Sequence, residues 1–368
     1  MVMQPLFGGI YTNKTVLVTG HTGFKGSWLA YWLSRMGAQV IGYSLPAPSE
    51  PSHFGLLYMD MVHIEGDIRD KEKLLDVMQK YQPDIVFHLA AQPLVRYSYS
   101  NPVETYETNI MGTINVYEAC RQSDSVKAIV NVTSDKCYDN KEWIWGYREN
   151  DAMGGYDPYS ASKGCAELVT SSYRNSFFNI NDYKKTHNIL LASCRAGNVI
   201  GGGDWAEDRL IPDIMRAVSQ GREVVIRSPY ATRPWQHVLE PLSGYLHVGW
   251  KLLEERAEFA DGWNFGPSDE GSITVEEVVK FIKTFWNKIE YKIEQDPNAL
   301  HEANLLKLDC SKAHFKLQWK NVWNAEETFK MTSEWYEKFY DEGKVITAGQ
   351  LEEYIERANT KNLEWSAR

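Results

Sequence analysis

The sequence predicts an α/β protein built on a doubly wound parallel β-sheet, with helices on both faces. Short β-branched apolar runs alternate with longer amphipathic stretches through the first half of the chain. This alternation is typical of buried parallel strands connected by helices. The first apolar run also leads directly into a glycine-rich turn, which is how such sheets commonly begin at a nucleotide site.

Each element follows from its local pattern. Apolar runs predict strands at residues 15–19, 39–43, 84–89, 127–133 and 189–194, with one more strand before Glu65. Amphipathic stretches predict helices at residues 25–36, around 70–80, at 103–121 and at 159–174. After Arg195 the rhythm changes at three consecutive glycines, short mixed elements follow, and residues 325–358 have the pattern of a charged amphipathic helix.

The length of 368 residues is enough for two domains. We expect residues 1–195 to form a dinucleotide-binding domain of the Rossmann type. Residues 233–258 return to this domain, because 240–254 again has the pattern of a helix that covers the sheet. Residues 196–232 and 259–368 then form a smaller, sequence-interleaved C-terminal substrate domain.

Composition excludes several classes of protein. The chain has 39 Lys and Arg against 49 Asp and Glu, a net charge of −10, which argues against nucleic acid as a partner. No signal-like start and no run of 18 apolar residues is present, so no membrane association is expected. The five cysteines are scattered without a C-x-x-C pair, which indicates reduced thiols, a cytoplasmic location and no metal site.

The turn after the first strand has the spacing G-x-x-G-x-x-G. It contains Gly20, Thr22, Gly23, Phe24, Lys25 and Gly26. Glycine lets backbone approach a pyrophosphate closely, and the helix that follows offers free N–H groups and a positive dipole. The turn therefore predicts dinucleotide binding, although a turn that serves only helix–strand packing has the same pattern.

The sequence distinguishes only weakly between NAD and NADP. The second strand ends at Tyr43 and Ser44, with no acid for a ribose hydroxyl and no arginine for a 2′-phosphate, which slightly disfavours NADP. Asp67 is a candidate for the adenine side of the pocket, and capping of the helix around 70–80 is the alternative.

Tyr159 and Lys163 are predicted to lie one turn apart on a helix that is capped by Asp157 and begins at Pro158. An ammonium about 4 Å from a phenol is worth ~4 kcal/mol at an effective dielectric near 20, which would bring the phenol pKa from about 10 to near 7. Tyr159 would then accept a proton from a substrate hydroxyl as hydride leaves the carbon. The same spacing also occurs by chance on many helices.

The strand at 127–133 delivers Ser134, Asp135 and Lys136 to the carboxyl edge of the sheet, where ligands bind. Ser134 is placed to bind a substrate oxygen beside Tyr159, while Asp135 and Lys136 provide an acid and a potential base. An ordinary polar strand-to-loop transition is the alternative.

Together these segments resemble extended short-chain dehydrogenases/reductases, and within them the nucleotide-sugar 4,6-dehydratases. The similarity covers residues 16–319 and is carried by segments at 20–28, 89–95, 133–140, 154–166, 195–205, 233–241 and 264–267. It implies conversion of CDP-D-glucose into CDP-4-keto-6-deoxy-D-glucose and water, with NAD regenerated in each turnover. The NAD contacts that it implies are the glycine-turn residues above, Asp67, Ile68, Leu89, Ala90, Ala91, Tyr159 and Lys163.

The resemblance also implies a role for each catalytic residue. Tyr159 accepts the O4 proton, Ser134 and Lys163 support this oxidation, and Asp135 protonates the departing C6 hydroxyl. Lys136 stands where dTDP-glucose dehydratases carry the glutamate that removes the C5 proton, a departure that is similar to the CDP-sugar branch. A lysine acts as a base only when its pKa is lowered.

Four residues are candidates for the substrate pyrophosphate. Arginines suit phosphate geometry, and the candidates are Arg209, Arg227 and Arg233; the resemblance adds Asn198. A surface ion pair is the alternative for each arginine, and a turn-stabilising role for Asn198. The resemblance further implies a homodimer through helices 103–121 and 159–174. The apolar stripe at Tyr106, Ile110, Ile114 and Tyr117 could equally pack within the monomer.

Other functions use the same scaffold. A nucleotide-sugar 4-epimerase or reductase needs Tyr159, Lys163 and Ser134 but no acid/base pair for elimination, so the Asp135-Lys136 dipeptide favours a dehydratase. A dehydratase for another NDP-hexose and a non-catalytic NAD-binding regulator are the remaining alternatives.

Overall fold

The computed structural model describes residues 5–207, 209–226, 229–230, 232–267, 272–294 and 305–366. Its centre is a seven-stranded sheet in the order β3-β2-β1-β4-β5-β6-β11, with every pair of neighbours parallel. The strands are β1 Thr15–Thr19, β2 Gln39–Ser44, β3 Val62–Glu65, β4 Ile85–His88, β5 Ala128–Val132, β6 Leu190–Arg195 and β11 Gly262–Asn264. This order confirms the predicted Rossmann-type α/β fold.

The remaining strands form two-stranded pairs. They are β7 Val199–Ile200 with β10 Gln236–His237, β8 Val224–Ile226 with β13 Tyr291–Ile293, and β9 Thr232–Pro234 with β12 Ser272–Thr274. The helices are α1 Phe24–Arg35, α2 His53–Leu56, α3 Lys71–Tyr81, α4 Val95–Ser100, α5 Pro102–Tyr106, α6 Gly112–Arg121, α7 Pro158–Ser176, α8 Leu210–Ser219, α9 Leu239–Leu253, α10 Val275–Phe285, α11 Ala325–Glu342 and α12 Thr347–Thr360.

The two faces of the sheet bury different cores because successive side chains of a strand point to opposite faces. Leu17 belongs to the core that contains α3 and α6 residues, whereas Val16 and Val18 belong to the core that contains α1 and α9 residues. Helices therefore cover both faces, as the sequence predicts. None of the helices within the described ranges is long and apolar enough to cross a membrane.

The predicted helix at 103–121 is interrupted. After α5, one π-helical turn at Glu107–Met111 precedes α6. This turn directs the buried Asn109 side chain inward, where it accepts from Gln92 N at 2.8 Å and donates to Ser162 Oγ at 2.8 Å. A helix-periodic sequence does not reveal such a local widening, which commonly occurs near functional sites.

The apolar stripe divides between the surface and the interior of the subunit. Tyr106 is exposed, and Ile110 and Ile114 are half-buried, but Tyr117 is fully buried and its hydroxyl lies 2.7 Å from Thr170 Oγ1. Tyr117 therefore packs within the subunit, and the part of the stripe in a dimer stays a prediction.

The division into domains stays a prediction, and two observations bear on how the ranges meet. Helix α9, within the returning segment 233–258, packs on β5 and β6. Strand β11 lies in the range 259–368, yet it pairs with β6 and forms the outer strand of the central sheet.

Candidate active site

The candidate site lies at the carboxyl edge of the sheet. β1, β4, β5 and β6 are parallel neighbours, so the segments that follow them meet at one edge. These segments are the glycine turn, residues 89–91, residues 133–137 and residues 196–198.

The glycine turn has no room for side chains at two of its three glycines. A Cβ on Gly20 would lie 2.7 Å from Ala90 N, and one on Gly26 would lie 2.0 Å from Gly20 O. Gly23 is the N-cap of α1 and no side chain caps the helix, which leaves its first N–H groups available to an anion. Thr22 Oγ1 lies 2.8 Å from Ser44 Oγ, which ties the turn to the end of β2. This cradle fits a dinucleotide pyrophosphate.

The other predicted cofactor residues line the neighbouring turns. Leu89, Ala90 and Ala91 are half-buried after β4, whereas Ile68 is buried. Asp67 accepts hydrogen bonds from the Arg69 backbone and guanidinium. Although burial acts to raise the pKa of Asp67, these bonds lower it. The alternative that Asp67 caps α3 is wrong, because Asp70 accepts from Lys73 N at 3.0 Å and is the cap.

Helix α7 begins and is capped as predicted, and it carries Tyr159 and Lys163 one turn apart. Asp157 caps it by accepting from Ser160 N at 2.9 Å, and Pro158 occupies its first position. Tyr159 and Lys163 are both buried, with exposures of 8% and 6%. The Tyr159 backbone is fixed from α4, since its N–H donates to Ser98 Oγ at 3.1 Å.

The pKa of Tyr159 differs from the expectation. Burial raises the pKa of Tyr159 to about 12, against a lowering by its side-chain hydrogen bond with Ser134, and Asp135 raises it further. Burial also lowers the pKa of Lys163 to about 8. The prediction that Lys163 alone brings the phenol close to 7 is therefore wrong for the protein by itself, because desolvation is the largest influence on the pKa of Tyr159 and raises it.

Asp135, Tyr159 and Lys163 share one electrostatic environment. Asp135 is 3% exposed, and Ser134 Oγ donates to its Oδ1 at 2.9 Å. Burial, followed by the nearby charges of Arg209 and Lys163, lowers the pKa of Lys25 to about 8, while Asp135 acts in the opposite sense. Lys136 is half-buried, and its backbone N–H donates to Ser134 Oγ at 3.2 Å.

The substrate candidates have different surroundings. Arg209 pairs with Asp204 at 3.0 Å, and its charge is one of the influences that lower the pKa of Tyr159. Asn198 has a positive φ of 50° directly before β7. Arg233 Nη1 donates to Thr232 O at 3.0 Å on β9. Arg227 lies outside the described residues.

A buried ion pair next to the site was not predicted. Glu167 and Arg195 lie 2.8 Å apart with side-chain exposures of 2% and 4%. Glu167 stands four residues after Lys163, so the repeated spacing from Tyr159 was a usable signal. Its partner comes from a distant strand and leaves no such signal.

The strand order and the Tyr159–Lys163 pair at the carboxyl edge place the protein in the class of short-chain dehydrogenases/reductases. More narrowly, the chain belongs to the GDP-mannose 4,6 dehydratase family, whose pattern matches residues 17–332.

Individual relatives agree with this assignment. The chain is 56% identical to CDP-glucose 4,6-dehydratase of Salmonella typhimurium over 89% of its length and 91% of the relative. It shares the fold of UDP-glucose 4-epimerase of Thermotoga maritima, with a TM-score of 0.74 and 22% identity over 88% of this chain and 99% of that chain. A dTDP-glucose 4,6-dehydratase of Bacillus anthracis, solved with NAD, gives a TM-score of 0.71 and 21% identity over 88% and 97%.

Proposed function

We propose that the protein dehydrates CDP-D-glucose to CDP-4-keto-6-deoxy-D-glucose with the help of NAD. The observation that carries this proposal is the buried Asp135 carboxylate beside the Tyr159–Lys163 pair. An epimerase or a simple reductase has no use for an additional acid there, whereas the loss of water requires one. The 56% identity to a CDP-glucose 4,6-dehydratase supports the same choice.

The first half of the reaction belongs to Tyr159, Lys163 and Ser134. Tyr159 accepts the O4 proton, and its hydrogen bond with Ser134 orients the phenol toward that oxygen. Lys163 supplies positive charge one turn away on the same helix. NAD held in the glycine-turn cradle would supply reversible hydride acceptance for C4 and C6, and its cationic ring would favour the phenolate of Tyr159.

The second half is an elimination across C5 and C6. The C4 ketone acidifies the C5–H, a base removes that proton, and Asp135 protonates the departing C6 hydroxyl so that water leaves. We assign the base to Lys136, which follows Asp135 directly. The proton that Tyr159 holds returns to the sugar at C5 and the proton that Lys136 removed restores the Asp135 acid, so the net change is the loss of one water.

The glycine turn and the arginines account for ligand binding in this proposal. The glycine turn and the free N–H groups of α1 hold the NAD pyrophosphate, with Asp67, Ile68 and residues 89–91 along the cofactor. We assign Arg209, Arg233, Asn198 and, outside the described residues, Arg227 to the substrate pyrophosphate. Residues 1–195 with 233–258 form the NAD domain in this proposal, and 196–232 with 259–368 the nucleotide-sugar domain.

We extend the proposal to assembly and location. Exposed apolar side chains at Val103, Met111 and Leu168 lie on α5, the π-helical turn and α7, which contact one another. This face suits a homodimer. All five cysteines have free thiols, which supports a cytoplasmic location.

Incubation with substrate tests the function directly. We expect CDP-glucose and NAD to yield a sugar nucleotide lighter by one water, with no net NADH, as followed by mass spectrometry and nicotinamide absorbance. Parallel reactions with dTDP-, GDP- and UDP-glucose provide the comparison. Preferential turnover of one of these would overturn the CDP assignment, and an epimer of unchanged mass would overturn the dehydratase.

A further inference from the structure

The Asp135 carboxylate is packed directly against Gly197. A Cβ at position 197 would lie 1.7 Å from Asp135 Oδ2 and 2.5 Å from Oδ1. Gly197 does not have the positive φ that excludes other residues, so the space taken by Asp135 is what requires glycine there. The carboxylate also accepts a hydrogen bond from the Ser134 hydroxyl, at 2.9 Å. The Asp135 side chain therefore lies between Ser134 and the turn after β6.

The Glu167–Arg195 ion pair anchors the beginning of the segment that carries Asp135. Glu167 accepts hydrogen bonds from Arg195 at 2.8 Å, Ser193 Oγ at 2.8 Å and Thr133 Oγ1 at 2.5 Å. Thr133 directly precedes Ser134. Because Glu167 lies on α7 one turn after Lys163, the pair connects the end of β5 to the helix that carries the redox residues.

The same ion pair anchors the other end of that segment. Arg195 Nη1 donates to Tyr138 OH at 2.6 Å, and its guanidinium lies 5.2 Å from the centroid of the Tyr138 ring. The Tyr138 hydroxyl in turn donates to Asn264 Oδ1 at 2.8 Å on β11. Residues 134–137 are thus fixed at both ends by one buried pair, and Arg195 stands two residues before Gly197.

We propose that Glu167, Arg195 and Gly197 are positioning residues that hold the Asp135 carboxylate in place for the loss of water. The inference rests on the proposed function and adds to it a division of labour. Tyr159, Lys163 and Ser134 carry out the oxidation, Gly197 serves the elimination through its contact with Asp135, and the Glu167–Arg195 pair holds the segment that carries both Ser134 and Asp135. Buried ion pairs suit this task because removing one partner leaves an uncompensated charge, and a displacement of about 1 Å can cost on the order of 100-fold in rate.

The decisive variant is Gly197→Ala. Its methyl group meets the end of a flexible side chain, so Asp135 moves while the backbone stays. In a single turnover of the purified enzyme with CDP-glucose and NAD, we expect reduced nicotinamide to form at a rate within about twofold of the wild type. Water loss, measured by mass spectrometry, should fall on the order of 100-fold, and reduced nicotinamide should accumulate.

Five further variants make this test specific. Gly349→Ala on α12 is the matched control, because a Cβ there meets nothing within 4 Å, and both steps should be unchanged. On an Asp135→Asn background, Gly197→Ala should add little further loss, since both changes affect one group. Glu167→Gln should lower kcat on the order of 100-fold with a KM for CDP-glucose within about twofold, and Arg195→Lys should retain more activity than Arg195→Met.

The outcomes separate this inference from the proposed function. If the wild type turns over no CDP-glucose, the proposed function fails and the inference fails with it. If the wild type is active but folded Gly197→Ala slows both steps equally or neither step, only the inference is overturned. Should Gly197→Ala not fold, Glu167→Gln decides, and a rise in KM without a fall in kcat would reject positioning.

Discussion

Tyr159 and Lys163 lie one turn apart on α7, and burial shifts their pKa values away from each other, to about 12 for the phenol and to about 8 for the ammonium. The value for the phenol is raised and that for the ammonium is lowered because desolvation disfavours the charged form of each. Both residues are therefore held closer to neutrality than free side chains, and proton transfer depends on the charges that ligands bring.

Tyr159→Phe should abolish the oxidation while the protein remains folded. Removing the proton acceptor is expected to lower the rate of nicotinamide reduction by about 10²–10⁴-fold. The matched control is Tyr117→Phe, which removes a buried hydroxyl 2.7 Å from Thr170 and should cost about 1 kcal/mol of stability without affecting the rate. Normal nicotinamide reduction by Tyr159→Phe would contradict the assignment.

Lys163→Met should stabilise the protein while removing activity. Below pH 8 the wild type keeps a buried ammonium whose pKa is lowered to about 8 from 10.5, at a cost of up to about 3 kcal/mol. Between pH 8 and 10.5 the unfolded chain binds the proton that the folded protein has released, so wild-type stability rises with pH. At pH 7, denaturant unfolding should give Lys163→Met a higher free energy of unfolding than the wild type. This difference should shrink above pH 8.

The control for this measurement is Lys330→Met at an exposed position on α11. We expect it to show no such pH dependence. If the difference in free energy of unfolding between Lys163→Met and the wild type grew as the pH rose above 8, its pH dependence would have the opposite sign. That result would reject this account of the buried lysine.

Glu240→Gln should reveal a second buried group through its pH dependence. Burial raises the pKa of Glu240 to about 7 from 4.5, against hydrogen bonds from the Trp323 and Val322 N–H groups. Between pH 4.5 and 7 the folded protein keeps a proton that the unfolded chain loses, so stability falls as pH rises. Relative to Glu240→Gln, the free energy of unfolding of the wild type should fall by up to about 3 kcal/mol between pH 4.5 and 7.

Urea unfolding at several pH values measures this difference. The control is Glu326→Gln, at an exposed position in the first turn of α11. Its free energy of unfolding should differ from that of the wild type by the same amount at every pH. A constant difference for Glu240→Gln as well would show that Glu240 does not titrate in this range.

Leu168→Glu should disrupt the proposed dimer. Leu168 is 59% exposed on α7, and a charge in an apolar interface is costly to bury. Sedimentation velocity should give a monomer for this variant and a dimer for the wild type. Val225→Glu, at an exposed position of β8, should leave the mass unchanged, and a dimer of Leu168→Glu would place the interface elsewhere.

Local patterns in the sequence predicted much of this molecule. The strands β1, β2, β4, β5 and β6, the cap at Asp157 and the Tyr159–Lys163 spacing all follow from neighbouring residues. The contact of Gly197 with Asp135 does not, because the two residues meet only where β5 and β6 end side by side. The Tyr159 pKa was also mispredicted, since spacing gives the distance to a cation but not the loss of solvent.

Strand β11 has a consequence for protein engineering. It pairs with β6 although nearly 70 residues separate the two strands in the chain. Fragments that stop near residue 195 would expose the β6 edge, which invites intermolecular strand pairing and aggregation. The nucleotide-binding half is therefore a poor choice for separate expression or for grafting into a chimera, unless β11 is carried along through a shortened connection.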